Sequence, residues 1–206
     1  MPKFVKIKKG QKGFTLIELL VVAAIIGILL ALAIPNLIKA RISANEANAR
    51  KSMQTLRDAE GEYFEQDLDN SGDRDFTGLI GTQAGGSGSG GSLRCPDLAG
   101  TCVEEDALID SSFETATCDP DTSSSCTQGD ECEDTKAGYC LSVAADIAGS
   151  TQFDFGWEAS YAAFDKTGRR DFAVYGDGAI RCTLPGSANK GDAGSFVANR
   201  STPGCD

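Results

Sequence analysis

Apolar residues dominate the first long stretch of the chain, which follows a short polar head. Between Phe14 and Ile34 there are 21 residues and a single charge, at Glu18. A helix rises 1.5 Å per residue, so this stretch measures about 30 Å, enough to cross the hydrocarbon core of a bilayer. A carboxylate inside hydrocarbon costs at least ~2.5 kcal/mol, so the position of Glu18 needs an explanation.

Beyond this stretch the apolar residues narrow to one stripe. The stripe consists of Leu37, Ile38, Ile42, Ala49, Met53, Leu56, Tyr63 and Phe64. These steps of about three, four or seven residues are the spacing of one face of an amphipathic helix. We therefore predict one helix from Phe14 to about Gln66, with Gly27 as a soft point and Pro35 as the place of a kink or a freed backbone carbonyl.

Near the C-terminus the pattern changes to short apolar runs between turn residues. The predicted strands are FDFGW, ASYAAF, RRDFAVY and GAIRCT, and in the first of them Phe153, Phe155 and Trp157 alternate with other residues. The turn-like sequences DKTG and YGDG predict hairpins and hence an antiparallel sheet. A sheet this small needs a cover, and the amphipathic half of the helix is predicted to supply it. Residues 67–150 are predicted to be rich in loops.

The charge is unevenly distributed. The overall net charge is −11, but residues 1–13 hold five lysines and no acid, so 14 basic and 30 acidic residues remain and give −16. Such an acidic surface argues against nucleic acid as a partner, and solubility is its simplest explanation.

All eight cysteines lie in the last 112 residues. An even number after a membrane segment predicts disulfides in an oxidising compartment. The chain has no Cys-x-x-Cys pair and no histidine, which opposes a zinc site. We favour pairing within short local loops, Cys95–Cys102, Cys118–Cys126 and Cys132–Cys140, and within one longer loop, Cys182–Cys205.

The N-terminal residues KGFTLIELLVVAAIIGILLALAIPN closely resemble the N-terminus of type IV pilins and of type II secretion pseudopilins. The resemblance implies that a prepilin peptidase cuts between Gly13 and Phe14 and that Phe14 is then N-methylated. It implies that Glu18 neutralises the N-terminal amine of a neighbouring subunit. It also places Gly27 and Pro35 where the helix loses helical structure in several assembled pili. A charge tolerated near the membrane interface is the alternative interpretation of Glu18.

Ordinary signal cleavage is a second interpretation of this N-terminus, because a basic head precedes an apolar run and Ala31-Leu32-Ala33 resembles a signal peptidase site. The run is longer than the usual 7–15 residues and continues into the amphipathic helix, which favours the pilin-type interpretation. The lysines of the head would then stay on the cytoplasmic side.

The resemblance implies an α+β, pilin-like fold, in which a long N-terminal helix packs on a small antiparallel sheet with disulfide-rich loops. Four parts follow: a prepilin leader (1–13), a transmembrane and filament-core half of the helix (14–35), an amphipathic half (36–66) and a globular head (67–206). A typical type IV pilin has one C-terminal disulfide, so six of the eight cysteines depart from the family.

The sequence DLDNSGDRD places oxygen-bearing side chains at alternate positions. They are Asp67, Asp69, Ser71, Asp73 and Asp75. The pattern resembles the first half of an EF-hand loop and suits Ca²⁺, which takes six to eight oxygen ligands. Gly78 stands where the bidentate glutamate would be. An acidic surface turn that caps the helix is the alternative interpretation.

The predicted function is structural. The resemblance implies a subunit of a type IV pilus or related filament, with itself, other pilins, the prepilin peptidase and the inner-membrane assembly machinery as partners. It would cross the inner membrane once before assembly and then lie in a surface pilus or a periplasmic pseudopilus. No catalytic constellation is present in the sequence, and without histidine no catalytic triad of that type can form.

Two alternatives stay open. The first is a type II secretion pseudopilin, whose fibre is periplasmic and calcium-dependent. The second, of a different class, is a membrane-anchored cysteine-rich binding module, whose helix is only an anchor. The mature N-terminus separates the second from a pilin, which must begin at Phe14. Roles in motility, adhesion, DNA uptake and secretion are equally compatible with the sequence.

Overall fold

The computed structural model of the chain has the predicted α+β architecture. It describes residues 13–69, 72–81, 91–96, 104–118, 132, 134–144, 147, 153–185 and 198–205. The elements in chain order are α1 (Leu16–Gln66), a short 3₁₀ helix (Glu104–Asp106), α2 (Ser112–Thr115), β1 (Tyr139–Val143), β2 (Gly156–Tyr161), β3 (Phe172–Tyr175) and β4 (Ile180–Cys182). The chain divides into two compact units, residues 1–40 and 41–206.

Helix α1 is 51 residues long and ends at Gln66, where the apolar stripe predicted its end. Pro35 lies inside it and does not terminate it. Proline has no N–H, so it cannot donate to the carbonyl of Ala31 four residues earlier. The side chain of Asn36 donates a hydrogen bond to the carbonyl of Leu32 (3.2 Å) in the same turn.

The four strands form one antiparallel sheet in the order β1-β2-β3-β4. Pairing of Gly156 with Tyr175 and of Phe172 with Cys182 fixes the register of the last three strands. The sequences DKTG and YGDG lie in turns beside this sheet, as predicted. In such a sheet each strand pairs with the next strand along the chain, so no connection has to cross over the sheet.

Two details of the strand prediction were wrong. FDFGW and ASYAAF do not form separate strands, because β2 runs through their junction and Phe153 is 78% exposed. Strand β1, with the sequence YCLSV, lies in a region predicted as loop. All five of its residues are buried, so the strand has none of the apolar–polar alternation that marks a half-exposed strand.

The core of the second unit lies between α1 and one face of the sheet. From α1 it contains Ala49, Met53, Leu56, Ala59 and Tyr63, and from the sheet Tyr139, Leu141, Val143, Trp157, Ala159, Tyr161, Phe172 and Val174. Every second residue of each strand contributes, as the pleat requires. The prediction that the amphipathic part of the helix covers the sheet is therefore confirmed.

Polar contacts fix this part of α1 to the turn between β2 and β3. The Asn45 side-chain amide donates to the carbonyl of Thr167 (2.9 Å), and the backbone N–H of Arg169 donates to the Glu46 carboxylate (3.0 Å). Such bonds select one position of the helix along the sheet, which apolar packing alone does not do.

The C-terminal residues cover the opposite face of the sheet. There Ala173 and Tyr175 pack in a second apolar cluster with Ala144 and Ala198. Arg200 pairs with Asp154 and lies over the ring of Tyr175, 4.6 Å from its centroid. Both faces of the central strands are covered, which explains why β2 and β3 are buried throughout.

The disulfides agree with the predicted local pairing where both cysteines are described. Cys132 pairs with Cys140, and Cys182 pairs with Cys205. Cys95 and Cys118 are also disulfide-bonded. Their predicted partners, Cys102 and Cys126, lie outside the described residues, so these two pairings stay predictions.

Candidate assembly site

The apolar half of α1 is exposed in the first unit. Large apolar side chains from Phe14 to Ile38 are 45–83% exposed. Of the described helices, α1 alone is long and apolar enough to cross a membrane, with a mean hydropathy of 3.0 in its most apolar window. Soluble monomers rarely leave so large an apolar surface in water, so it marks contact with lipid or with other protein.

Glu18 closes the first turn of α1 through a reciprocal capping box. The backbone N–H and the hydroxyl of Thr15 both donate to the Glu18 carboxylate (2.8 and 2.7 Å), and the Glu18 backbone N–H donates to the Thr15 hydroxyl (3.3 Å). Thr15 is therefore the N-cap and Glu18 the third helical residue. The sequence signal, Thr-x-x-Glu before an apolar run, was present but was not used in the prediction.

The two residues of the predicted processing site precede the helix. Gly13 and Phe14 have no regular secondary structure, and Phe14 is 83% exposed. The bond between them thus lies outside the helix, and Phe14 is the residue before the N-cap, Thr15. Processing at this bond stays a prediction.

The two predicted soft points of the helix lie within its continuous part. A Cβ atom added at Gly27 would meet nothing within 4 Å, so no packing inside the chain demands glycine there. Pro35 is also internal to the helix. Any requirement for these two residues must come from lipid, from another subunit or from a different helical state.

Glu60 is a structural residue that sequence reasoning missed. Its side chain is fully buried, and it accepts hydrogen bonds from Trp157 Nε1 (2.7 Å) and from the backbone N–H of Thr77 (3.0 Å). Burial raises the pKa of Glu60 to about 8, although the two hydrogen bonds lower it. The signal was its position on the apolar stripe, four residues after Leu56 and three before Tyr63.

The residues of the predicted calcium loop lie directly after α1. Asp67 has a positive φ of 48°, and its carboxylate accepts a hydrogen bond from the N–H of Gly72 (3.3 Å). Burial and the charges of the three neighbouring aspartates, first that of Asp69, raise the pKa of Asp75. Ser71 lies outside the described residues.

Among the described residues no group of three or more acidic, cysteine or histidine side chains is arranged to hold a metal ion. The geometry of the loop instead resembles a turn closed by its own carboxylate. Calcium binding by Asp67, Asp69, Ser71, Asp73 and Asp75 stays a prediction.

Comparison with known proteins places the similarity at the N-terminus. The model of the prokaryotic N-terminal methylation motif matches residues 8–34. The type IV major pilin protein of Myxococcus xanthus is 45% identical over 56 residues, which are 27% of this chain and 26% of the pilin.

Two proteins of Thermus thermophilus are also similar over part of the chain. Its type IV wide pilus major component is 63% identical over 38 residues, 18% of this chain and 29% of that protein. Its type IV narrow pilus major component is 48% identical over 48 residues, 23% of this chain and 41% of that protein. The chain thus spans less than half the length of each of these relatives. All three are major pilus components by name, in agreement with the prediction of a structural protein.

Proposed function

We propose that this chain, whose N-terminal segment belongs to the type IV pilin family, is a structural subunit that polymerises into a pilus through its N-terminal helix. Before assembly the helix lies in the inner membrane. After extraction it packs against the helices of other subunits, and apolar contacts with them replace its contacts with lipid.

The observation that carries the proposal is the exposed apolar half of α1 together with the methylation motif that matches it. The motif covers residues 8–34, and the exposed side chains extend from Phe14 to Ile38. In a segment that served only as an anchor, a glutamate in the first turn would do no more than close the capping box with Thr15. A segment that must join identical copies benefits from one, because the carboxylate can neutralise a neighbouring N-terminal amine at Phe14.

Processing follows from the same motif. A prepilin peptidase removes residues 1–13, and Phe14 becomes the methylated N-terminus. Cleavage leaves the new amine four residues before Glu18, so each assembled subunit supplies one cationic and one anionic group to the interface. The five lysines of the leader hold it in the cytoplasm until cleavage.

The decisive experiment is intact mass and N-terminal sequencing of the protein from sheared surface filaments and from the inner membrane. A methylated Phe14 start that is abundant in sheared filaments supports a pilus subunit. The same start confined to the membrane fraction indicates a pseudopilin with a periplasmic fibre. A start at any other residue overturns the proposal and leaves an anchored binding module.

Calcium binding at residues 67–75 is a secondary part of the proposal. It is supported by the raised pKa of Asp75, which comes first from burial and then from the charges of the neighbouring aspartates, whose repulsion a bound cation would relieve. Millimolar Ca²⁺ should raise the melting temperature of the wild-type protein and not that of Asp73→Asn. Equal melting temperatures in Ca²⁺ and in chelator would identify the loop as a turn only.

A further inference from the structure

We infer that the basic stretch of α1 in one subunit docks on an acidic cleft at the end of α1 in a second copy of this chain. The inference deepens the proposed function and rests on it. One face of the second half of the helix is buried against its own sheet. The inference gives the opposite, exposed face a role in setting the axial spacing of subunits.

Charge is segregated along the second half of the helix and the loop that follows. Residues 41–57 hold four basic residues and one acidic residue, whereas residues 58–75 hold eight acidic residues and one basic residue. The basic stretch consists of Arg41, Arg50, Lys51 and Arg57. Mixed charges would serve solubility equally well, so solubility alone does not require the separation.

The acidic half is extended by a second element of the fold. A cleft of about 480 Å³ lies beside the end of α1, and its lining includes Glu62, Gln66, Leu68, Glu105 and Asp106. Glu62, Glu105 and Asp106 are exposed, so their charges face solvent. Three carboxylates around one open cleft repel one another, and an incoming lysine or arginine side chain would relieve that repulsion.

The matching cation lies on the same helix face. Lys51 precedes Asp58, Glu62 and Glu65 by 7, 11 and 14 residues. At 100° per residue these spacings return to within about 40° of the same direction, so the four side chains form one column. A parallel copy that is displaced along the helix axis by 11 to 14 residues, roughly 16–21 Å, and rotated so that the two columns face each other brings its Lys51 opposite Glu62 and Glu65. This copy is a different neighbour from the one whose Phe14 amine pairs with Glu18, because those two residues are only four positions, about 6 Å, apart along the helix.

The second copy is the occupant that the observations favour. The same chain carries both halves of the charge pair, and the exposed apolar half of α1 brings parallel copies side by side. Electrostatic complementarity of this kind chiefly sets register and excludes wrong partners rather than supplying most of the affinity. The apolar segment therefore drives association, and the charged column selects one axial step.

The test is a charge reversal with rescue, in the native host without its own copy of the subunit. The measured quantity is the ratio of sheared filament protein to subunit in the inner membrane. We expect Arg50→Glu with Lys51→Glu to lower the ratio at least ~5-fold, and Glu62→Lys with Glu65→Lys to do the same. All four substitutions together should restore it to within about two-fold of wild type.

Lys166→Glu is the matched control, because it makes the same kind of charge change at an exposed residue of the turn after β2. It should leave the ratio unchanged. Unfolding of each variant, followed by the fluorescence of the single tryptophan, checks that the head still folds. A photo-crosslinker at position 51 should join filament subunits to residues 62–68 or 104–108 of a neighbour.

The outcomes separate the inference from the proposed function. Filaments that tolerate either reversal, or a reversal that the four-fold variant does not rescue, overturn the inference and leave the pilus function intact. If chelation of divalent cations dissolves wild-type filaments while the reversals do not matter, a metal ion occupies the cleft and the inference fails. If the wild-type protein forms no filaments, both fall together.

Discussion

The two halves of α1 each place one glutamate among apolar residues, and the two carboxylates have opposite surroundings. Glu18 is exposed and is held by Thr15 in its own first turn. Glu60 is fully buried and is held by Trp157 and Thr77, which belong to other parts of the fold. In the proposed function Glu18 serves an interface with other subunits, whereas Glu60 completes the internal contact between α1 and the sheet.

The apolar side chains around them differ in the same way. Leu29 is 61% exposed, whereas Leu56 is 0% exposed. Leu29 and Leu56 lie in the same continuous helix, so the difference in their exposure does not come from helix propensity. It comes from the sheet, which covers one face of residues 42–63 and supplies their packing partners. Changes at apolar positions of the first half should therefore alter assembly, and changes at buried positions of the second half should alter folding.

The largest effect is expected from Glu18→Ala. It should abolish filaments while membrane insertion stays intact, because insertion depends on apolar length and assembly on the pairing of charges. Shearing and membrane fractionation measure the two separately. Thr15→Ala is the matched control, because it removes the hydroxyl of the capping box at a cost of about 1 kcal/mol and keeps the carboxylate. Normal filaments from Glu18→Ala would refute the pairing.

Truncation of one leucine in each half should separate the two roles. Leu56→Ala removes a fully buried side chain and should lower the free energy of unfolding by about 3 kcal/mol. Leu29→Ala should change it by less than ~0.5 kcal/mol and reduce filament yield instead. Urea titration in detergent, followed by the fluorescence of buried Trp157, gives both values. Equal free energies of unfolding in the two variants would contradict the assignment of assembly to the first half of the helix and of folding to the second.

The disulfides should stabilise the second unit alone. Cys182 and Cys205 enclose a loop of 23 residues, and Cys132 and Cys140 one of 8. Replacement of Cys182 and Cys205 by serine should lower the free energy of unfolding by about 3 kcal/mol. The same replacement of Cys132 and Cys140 should lower it by about 2.5 kcal/mol. Insertion of α1 into the membrane should not change. A larger loss from the shorter loop would show that packing, not chain entropy, dominates.

The smallest effect is a pH dependence that comes from Glu60. Its pKa is about 8 in the folded protein and near 4.5 when unfolded, so the folded state binds the extra proton between these values. The contribution of Glu60 to the free energy of unfolding is fully present below pH ~4.5 and is lost as the pH rises towards 8. Between pH 5 and 7 the loss is about 2 kcal/mol. The charge of nearby Asp75 contributes to the raised pKa.

Glu60→Gln is the matched variant for this effect, because its amide is neutral like the protonated acid and does not titrate. Its nitrogen cannot accept one of the two hydrogen bonds that Glu60 accepts, so the comparison uses the change with pH and not the absolute stability. The urea midpoint of the variant should lack the decline with pH that the wild type shows over the same range. A wild type that becomes more stable from pH 5 to 7 relative to this variant would mean that Glu60 is ionised in the fold.

Much of the fold follows from local sequence. The helix end at Gln66 and the helix–sheet core were predicted from the spacing of apolar residues along the chain. That spacing depends only on residues that are close in sequence. Strand β1 was missed because both of its faces are covered, which removes the alternation on which the prediction depended. The pairing of Cys182 with Cys205 was predicted from their proximity along the chain. Closing a short loop costs less chain entropy than closing a long one.

The sequence by itself determined the segment that we propose for assembly: an apolar run of spanning length, one glutamate in its first turn and a match to the N-terminal methylation motif over residues 8–34. These features are contiguous, so composition and spacing suffice to find them. Only the tertiary structure decided which glutamate is buried and how charge is arranged around the end of α1. Glu60 accepts a hydrogen bond from Trp157, which lies 97 residues later in the chain. Whether a charged group is buried depends on everything that surrounds it in three dimensions.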